Sequence, residues 1–151
     1  MNTMDDFSLD SIHWLLLQFG KQHFTRLQTL MNEIGLYRGQ PPLLHQLWQQ
    51  DGRAQSELAV KMRLQPATLT RMLQRMEAAG FIERRADPQD QRISRVYLTQ
   101  QGIRIKDQVR QREHQVICEI LEGFSPQEIN LIGQFLVRMR DNLSRKNNPS
   151  A

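Results

Sequence analysis

The feature that most constrains this 151-residue chain is its punctuation between Gln55 and Gly102. A short amphipathic run, Gln55-Ser56-Glu57-Leu58-Ala59, leads into Arg63-Leu64-Gln65, and Pro66 then opens a second run that closes at Gly80. Proline costs nothing in the first turn of a helix, where its missing N–H would have no partner, and glycine commonly follows a helix end. The spacing predicts helices over 55–62 and 66–79, joined by a three-residue turn. Ile82 to Arg85 and Arg95 to Leu98 then alternate as two strands, joined by a loop that holds Asp87, Pro88 and Asp90.

At 100° per residue the second helix places Leu69, Met72, Leu73 and Met76 on one side and Ala67, Arg71, Gln74 and Ala78 on the other. Thr68, Thr70 and Arg75 flank the polar side. Small residues there allow close approach, while Arg, Gln and Thr are the side chains that match guanine, adenine and the thymine methyl in a major groove. Ala67, Thr68, Thr70 and Arg71, near the helix N-terminus, are the expected base-edge contacts; Gln74 and Arg75 are expected at bases or phosphates. In the hairpin, Arg92 at the loop tip suits a narrow minor groove, where negative potential is focused. Asp90 is expected to orient Arg92, the aspartates to fold the loop, and Arg84, Arg85 and Arg95 to meet phosphates.

Charge supports a polyanion partner. The formal net charge is only +4, but residues 53–112 hold 13 Lys+Arg against 6 Asp+Glu, leaving 7 against 10 elsewhere. A single cysteine, Cys118, excludes an intrachain disulfide and fits a reducing compartment; lying in Val116-Ile117-Cys118, it is expected to be buried and inert. The acidic start, Met1 to Asp6, lacks the flank of a signal peptide, and no run of 18 apolar residues is present. The expectation is a cytoplasmic protein with no membrane span.

Helical spacing also covers Leu9 to Ile34, stopped by Gly35, and a helix after Pro41-Pro42 that carries Leu43, Leu44, Leu47 and Trp48. Thr99 is a plausible cap for a helix over 100–121, ended by Gly123, and Ser125-Pro126-Gln127-Glu128 reads as a capping box for a last helix. The tail from Lys146 to Ala151 is polar.

The segments Gln55-Ser56-Glu57-Leu58-Ala59, Thr68-Leu69-Thr70-Arg71, Met76-Glu77 with Gly80-Phe81-Ile82 and Arg84, Asp87-Pro88 with Asp90 and Arg92, and Val96 with Leu98-Thr99 and Gly102 closely resemble the MarR family of bacterial transcription regulators. Each motif is weak alone; five in register are strong. The resemblance implies a mostly α fold with a small β-hairpin wing: a single winged helix-turn-helix domain whose N- and C-terminal helices dimerise, binding pseudo-palindromic operators as a homodimer. On that reading residues 1–36 and 124–145 form the dimer helices, 38–99 the DNA-binding lobe and 100–122 a connecting helix. Phe7, Leu9, Ile12, Leu16 and Phe19, with Ile132, Phe135, Leu136 and Met139, are the expected interface. Two positions depart from the family. The wing tip is Asp90-Gln91-Arg92 where Asp-Arg-Arg is frequent, and Ala54 stands at a helix cap that is often Ser or Thr, a loss of about 1 kcal/mol.

Regulators of this type often bind small aromatic or phenolic acids between the dimer helices and the DNA-binding lobe, which makes His13, Trp14, Tyr37 and Arg38 the effector candidates. The same residue types also serve as core. Histidines 13, 23, 45 and 114 have no metal-ligand spacing, no cofactor motif is present, and no Ser/His/Asp, Cys/His or paired-carboxylate pattern points to an enzyme. The rival is an adaptor that keeps the winged-helix fold without binding DNA, against which the basic wing and the exposed Arg71, Gln74 and Arg75 count.

Overall fold

Why the helices end where they do is visible in their caps. The computed structural model describes residues 7–147; the acidic start at Met1 to Asp6 and the last four residues of the tail lie outside them. Ser8 caps α1 (Leu9–Glu33) by accepting from the Ser11 N–H at 3.1 Å. α2 (Gln40–Gln49) carries its two prolines in its first turn, so the expected loop through Pro42 is already helical from Gln40. α3 (Gln55–Lys61) starts at Ala54 with no side-chain cap, and α4 (Pro66–Ala78) begins at proline.

The expected two-stranded ribbon is a three-stranded antiparallel sheet. β1 (Arg53–Ala54) joins β2 (Ile82–Ala86) and β3 (Ser94–Leu98) in the order β1-β3-β2, with Arg53 opposite Val96 and Arg84 opposite Val96 from the other side. Two residues carry no periodicity, so β1 is specified by pairing alone. Arg53 in β1 is buried, donating to the Gln46 carbonyl at 3.2 Å and pairing with Glu57.

α5 (Gln100–Ile120) is anchored at its start. The Thr99 hydroxyl accepts from the Gly102 N–H at 3.1 Å and donates to the Gly80 carbonyl at 2.5 Å, while the Thr99 N–H bonds Phe81 O at 3.1 Å. A Cβ on Gly102 would stand 2.0 Å from Phe81 O, so only glycine lets helix and strand approach this closely.

Packing divides the chain into two units, one ending at Val116 and one starting at Ile117. The first has a core of Leu43, Leu44 and Leu47 from α2, Leu58 from α3, Leu69, Leu73 and Met76 from α4, Val96 from the sheet and Val109 from α5. α1 contributes only Leu30 and Met31 as buried residues; Trp14, Leu15, Leu16, Leu17 and Phe19 are about half exposed or more. The second unit holds α6 (Pro126–Asn147), opened by the capping box: Glu128 accepts from the Ser125 N–H at 2.7 Å, which holds the Glu128 carboxyl below its ordinary pKa. None of the described side chains of α6 is buried, and Phe135 and Leu136 are more than half exposed. Cys118, expected to be buried, is exposed. With Val109 and Val116 turned inward seven residues apart, the next positions rotate outward.

Candidate nucleic-acid interface

The helical pattern of α4 buries Leu69, Leu73 and Met76 and leaves Ala67, Thr68, Arg71, Gln74 and Arg75 exposed. Met72, expected with the core, is only partly buried. Arg71 and Arg75 pair with no acid among the described residues. Thr70 differs from its neighbours. It is partly buried, its hydroxyl donates to the Pro66 carbonyl at 2.9 Å and accepts from Gln55 Nε2 at 2.8 Å, so its proton is already committed within the protein. The turn before α4 places Arg63 in the left-handed region, φ 51°, with its side chain exposed. Neither Gln55 nor Arg63 stands out in the sequence, because a turn residue and the first residue of a short helix carry no pattern.

The hairpin loop is built around Asp87. Its buried carboxylate accepts from the Gln89 N–H at 2.7 Å and the Asp90 N–H at 3.2 Å, and pairs with the Arg95 guanidinium, which also donates to Gly52 O at 2.9 Å. Chiefly the Arg95 bond, with those two N–H groups, holds the Asp87 carboxyl below its ordinary pKa and raises Arg95 in turn. Asp90 accepts from the Arg92 backbone N–H at 3.0 Å, so it orders the tip as expected, through the main chain. Arg92 itself is exposed and pairs with no acid among the described residues.

Two of the arginines expected at phosphates are engaged in ion pairs within the protein. Arg95 is committed to Asp87. Arg84 grips Glu77 of α4, Nη2 to Oε2 at 2.7 Å and Nε to Oε2 at 3.0 Å, while its backbone N–H bonds the other carboxylate oxygen at 3.0 Å. These bonds depress the Glu77 pKa and fasten the end of α4 to β2. Arg85 is exposed but paired with Glu83, and it stacks on Tyr97 at 5.1 Å. Sequence spacing could not reveal which arginine finds an acid.

Between α3, the turn and the wing lies an open cleft of about 820 Å³, with Val60, Leu64 and Ile93 on its walls, Arg63 and Arg92 among its lining residues and no acid. A second cavity, about 510 Å³, lies beside α4 and is lined by Tyr37, Arg38, Thr68, Arg71, Met72 and Arg75. Arg38 also lies over the Phe24 ring at 5.3 Å. His13 and Trp14, grouped with these by sequence, do not line it; they make an edge-to-face pair with each other, 6.3 Å between centroids, on exposed α1. The four effector candidates are thus split between two places. Adjacent residues of one helix follow its own surface, which a grouping by residue type ignores.

A helix of exposed, unpaired arginines beside a rigid wing invites comparison with known DNA-binding folds. Residues 36–94, which carry α4 and the wing tip, match the model of the MarR family. The HTH-type transcriptional regulator YdgJ of Bacillus subtilis is 33% identical over 110 residues, covering 73% of this chain and 67% of that protein.

The chain belongs to the MarR family.

A second Bacillus subtilis regulator, YybA, is 30% identical over 114 residues, covering 75% of each. Among solved structures, a crystal structure of MarR superposes with a TM-score of 0.75 at 25% identity, covering 89% of this chain and 98% of that one. A MarR family protein from Bacillus stearothermophilus shares the fold with a TM-score of 0.78 at 23% identity, covering 94% and 99%. The protein is therefore a helix-turn-helix transcriptional regulator that binds DNA, not an enzyme. No helix of the described residues is long and apolar enough to cross a membrane.

Proposed function

We propose that this MarR-family protein is a cytoplasmic, ligand-responsive repressor that binds pseudo-palindromic operators as a homodimer. The observation that carries the reading is a set of exposed arginines without acidic partners, Arg71 and Arg75 on α4 and Arg92 on the wing, beside internal ion pairs that hold the scaffold. α4 enters the major groove with Ala67, Thr68, Arg71 and Gln74 toward base edges. Arg92 reaches the minor groove, and the cleft between the two elements accommodates the intervening sugar-phosphate strand, whose charge Arg63 meets.

The dimer is supported by apolar surface that a monomer would leave wet. A 22-residue helix with no buried described side chain gains little from propensity alone, and α1 exposes Trp14, Leu16 and Phe19. A second copy covers both in this reading. The effector is a small aromatic acid in the 510 Å³ cavity, with its ring against Met72 and Tyr37 and its carboxylate toward Arg38 or Arg75. Occupation there ties up helix cations that DNA needs.

Selection of bound duplexes from random DNA, followed by sedimentation of the complex, tests this directly. The expected result is two inverted half-sites about one helical turn apart with two protomers bound. An asymmetric site held by one protomer, or no enriched sequence, overturns it.

A further inference from the structure

Thr70 sits on the α3 side of the polar face of α4, immediately before Arg71. A hydroxyl has one proton to give and two lone pairs with which to accept. The Thr70 proton is given to the Pro66 carbonyl one turn back, and Gln55 Nε2 occupies one lone pair. The two bonds tie the oxygen to the first turn of α4 and to α3, and so hold the torsion about Cα–Cβ. An unrestrained threonine would switch rotamers and donate to any nearby acceptor, such as N7 or O6 of guanine or O4 of thymine. Held this way, the side chain has no proton to donate to a base, and the apolar contact left to it is its methyl group. The methyl of thymine is the one apolar group on a base edge in the major groove.

We propose that Thr70 reads a C5-methyl group by apolar contact, and that Gln55 is a positioning residue that keeps the Thr70 hydroxyl turned away from the bases. The protein then distinguishes a C5-methylated from an unmethylated pyrimidine at one position of each half-site, whether the methyl belongs to thymine or to 5-methylcytosine. The inference rests on the placement of α4 in the major groove.

The test uses the full-length protein and the site obtained by selection. Each thymine is replaced in turn by deoxyuridine, which removes only the methyl, and by deoxycytidine or 5-methyldeoxycytidine; affinity is read by fluorescence anisotropy. One thymine per half-site is expected to lose about fourfold on conversion to uracil, the worth of one buried methyl group, and 5-methyldeoxycytidine should recover that factor over deoxycytidine. T70S keeps the hydroxyl and should abolish the thymine–uracil difference. T70V keeps a methyl and should retain it. Q55A should reduce the difference below twofold, whereas a merely structural Gln55 would weaken binding to both duplexes alike. Equal affinity for thymine and uracil at every position, discrimination that survives in T70S, or discrimination lost in T70V overturns the inference. A wild-type protein that enriches no sequence overturns the DNA-binding reading instead, before any nucleotide is exchanged.

Discussion

The division of arginines into paired and unpaired sets fixes how steeply DNA binding should fall with salt. On the turn, α4 and the wing, Arg63, Arg71, Arg75 and Arg92 are exposed and have no acidic partner among the described residues, which makes four per protomer and eight per dimer. Arg84, Arg85 and Arg95 are held by Glu77, Glu83 and Asp87. Each cation that docks on duplex DNA releases close to one counterion, so log affinity should change with log salt at a slope of about −7, roughly 10⁴-fold between 50 and 200 mM. Were the three paired arginines also docked, fourteen contacts would give a slope of about −13 and a loss of roughly 10⁷-fold or more over the same range. Anisotropy titrations of the selected operator across that range separate the two. R92Q should reduce the slope by about 2 for the dimer, while R84Q should leave the slope unchanged and lower thermal stability by loosening α4 from β2. A slope near −13, or an R84Q slope that drops as much as that of R92Q, would refute the assignment of ion pairs to scaffold and unpaired cations to DNA.

The two reading elements should fail differently: R71A is expected to cost about 1–3 kcal/mol per half-site and relax preference at one base position, whereas R92A weakens most sequences and leaves the central consensus intact; selection with each variant checks this. G102A gains about 1 kcal/mol of helix propensity but drives a Cβ to 2.0 Å from Phe81 O and strains the Thr99 and Trp48 bonds at that junction, so a net loss of about 2–3 kcal/mol should appear in urea melts. Acid should destabilise the lobe: Asp87 and Glu77 have lowered pKa values, so the unfolded chain takes up their protons first as pH falls. Their stabilisation is complete at neutral pH, declines once pH drops into the ordinary carboxylate range and is gone below their folded values; melts between pH 7 and 3 should show this, with a smaller decline in D87N. L136E, at a position already more than half exposed in the single chain, should yield folded monomers by sedimentation if α6 is a dimer helix. Wild-type protein that sediments as a monomer at micromolar concentration would refute the dimer.

The helices were legible because their residues obey a 3.6 period between unambiguous stops. Pro66, Gly80, Thr99 and the Ser125–Glu128 box each mark an end through a local backbone need, and such needs are written in single residues. What could not be read depends on partners distant in sequence. β1 exists only because Arg53 and Ala54 find β3 about 40 residues later, and Arg95 is drawn into the scaffold by Asp87 and Gly52. The exposed polar face of α4 was legible from residue type, yet the state of Thr70 was not, since Gln55 lies on another helix. The same gap explains the effector residues: Tyr37 and Arg38 share a cavity with α4, and no periodicity links them to it.

Acids in a module that faces a polyanion need a physical reason, and the wing supplies one. Asp87 does not present its negative charge outward as an isolated group, and Asp90 spends one carboxylate oxygen on the loop backbone. Asp87 is neutralised by Arg95 and by two backbone N–H groups, and Asp90 accepts from the main chain of Arg92. A charge paired like that of Asp87 repels a phosphate far less than a solvated carboxylate would, and the bonds of both aspartates order the loop backbone. An arginine on a mobile tip would have to lose backbone as well as side-chain freedom on binding, a cost of roughly 1–2 kcal/mol for each residue ordered. Here much of the backbone cost is already met on folding. The wing tip bears the neutral Gln91 beside Arg92, so it offers one unpaired cation there among the described residues. On the proposed reading, the aspartates order the backbone that carries that single cation, which lowers the entropy lost when it docks.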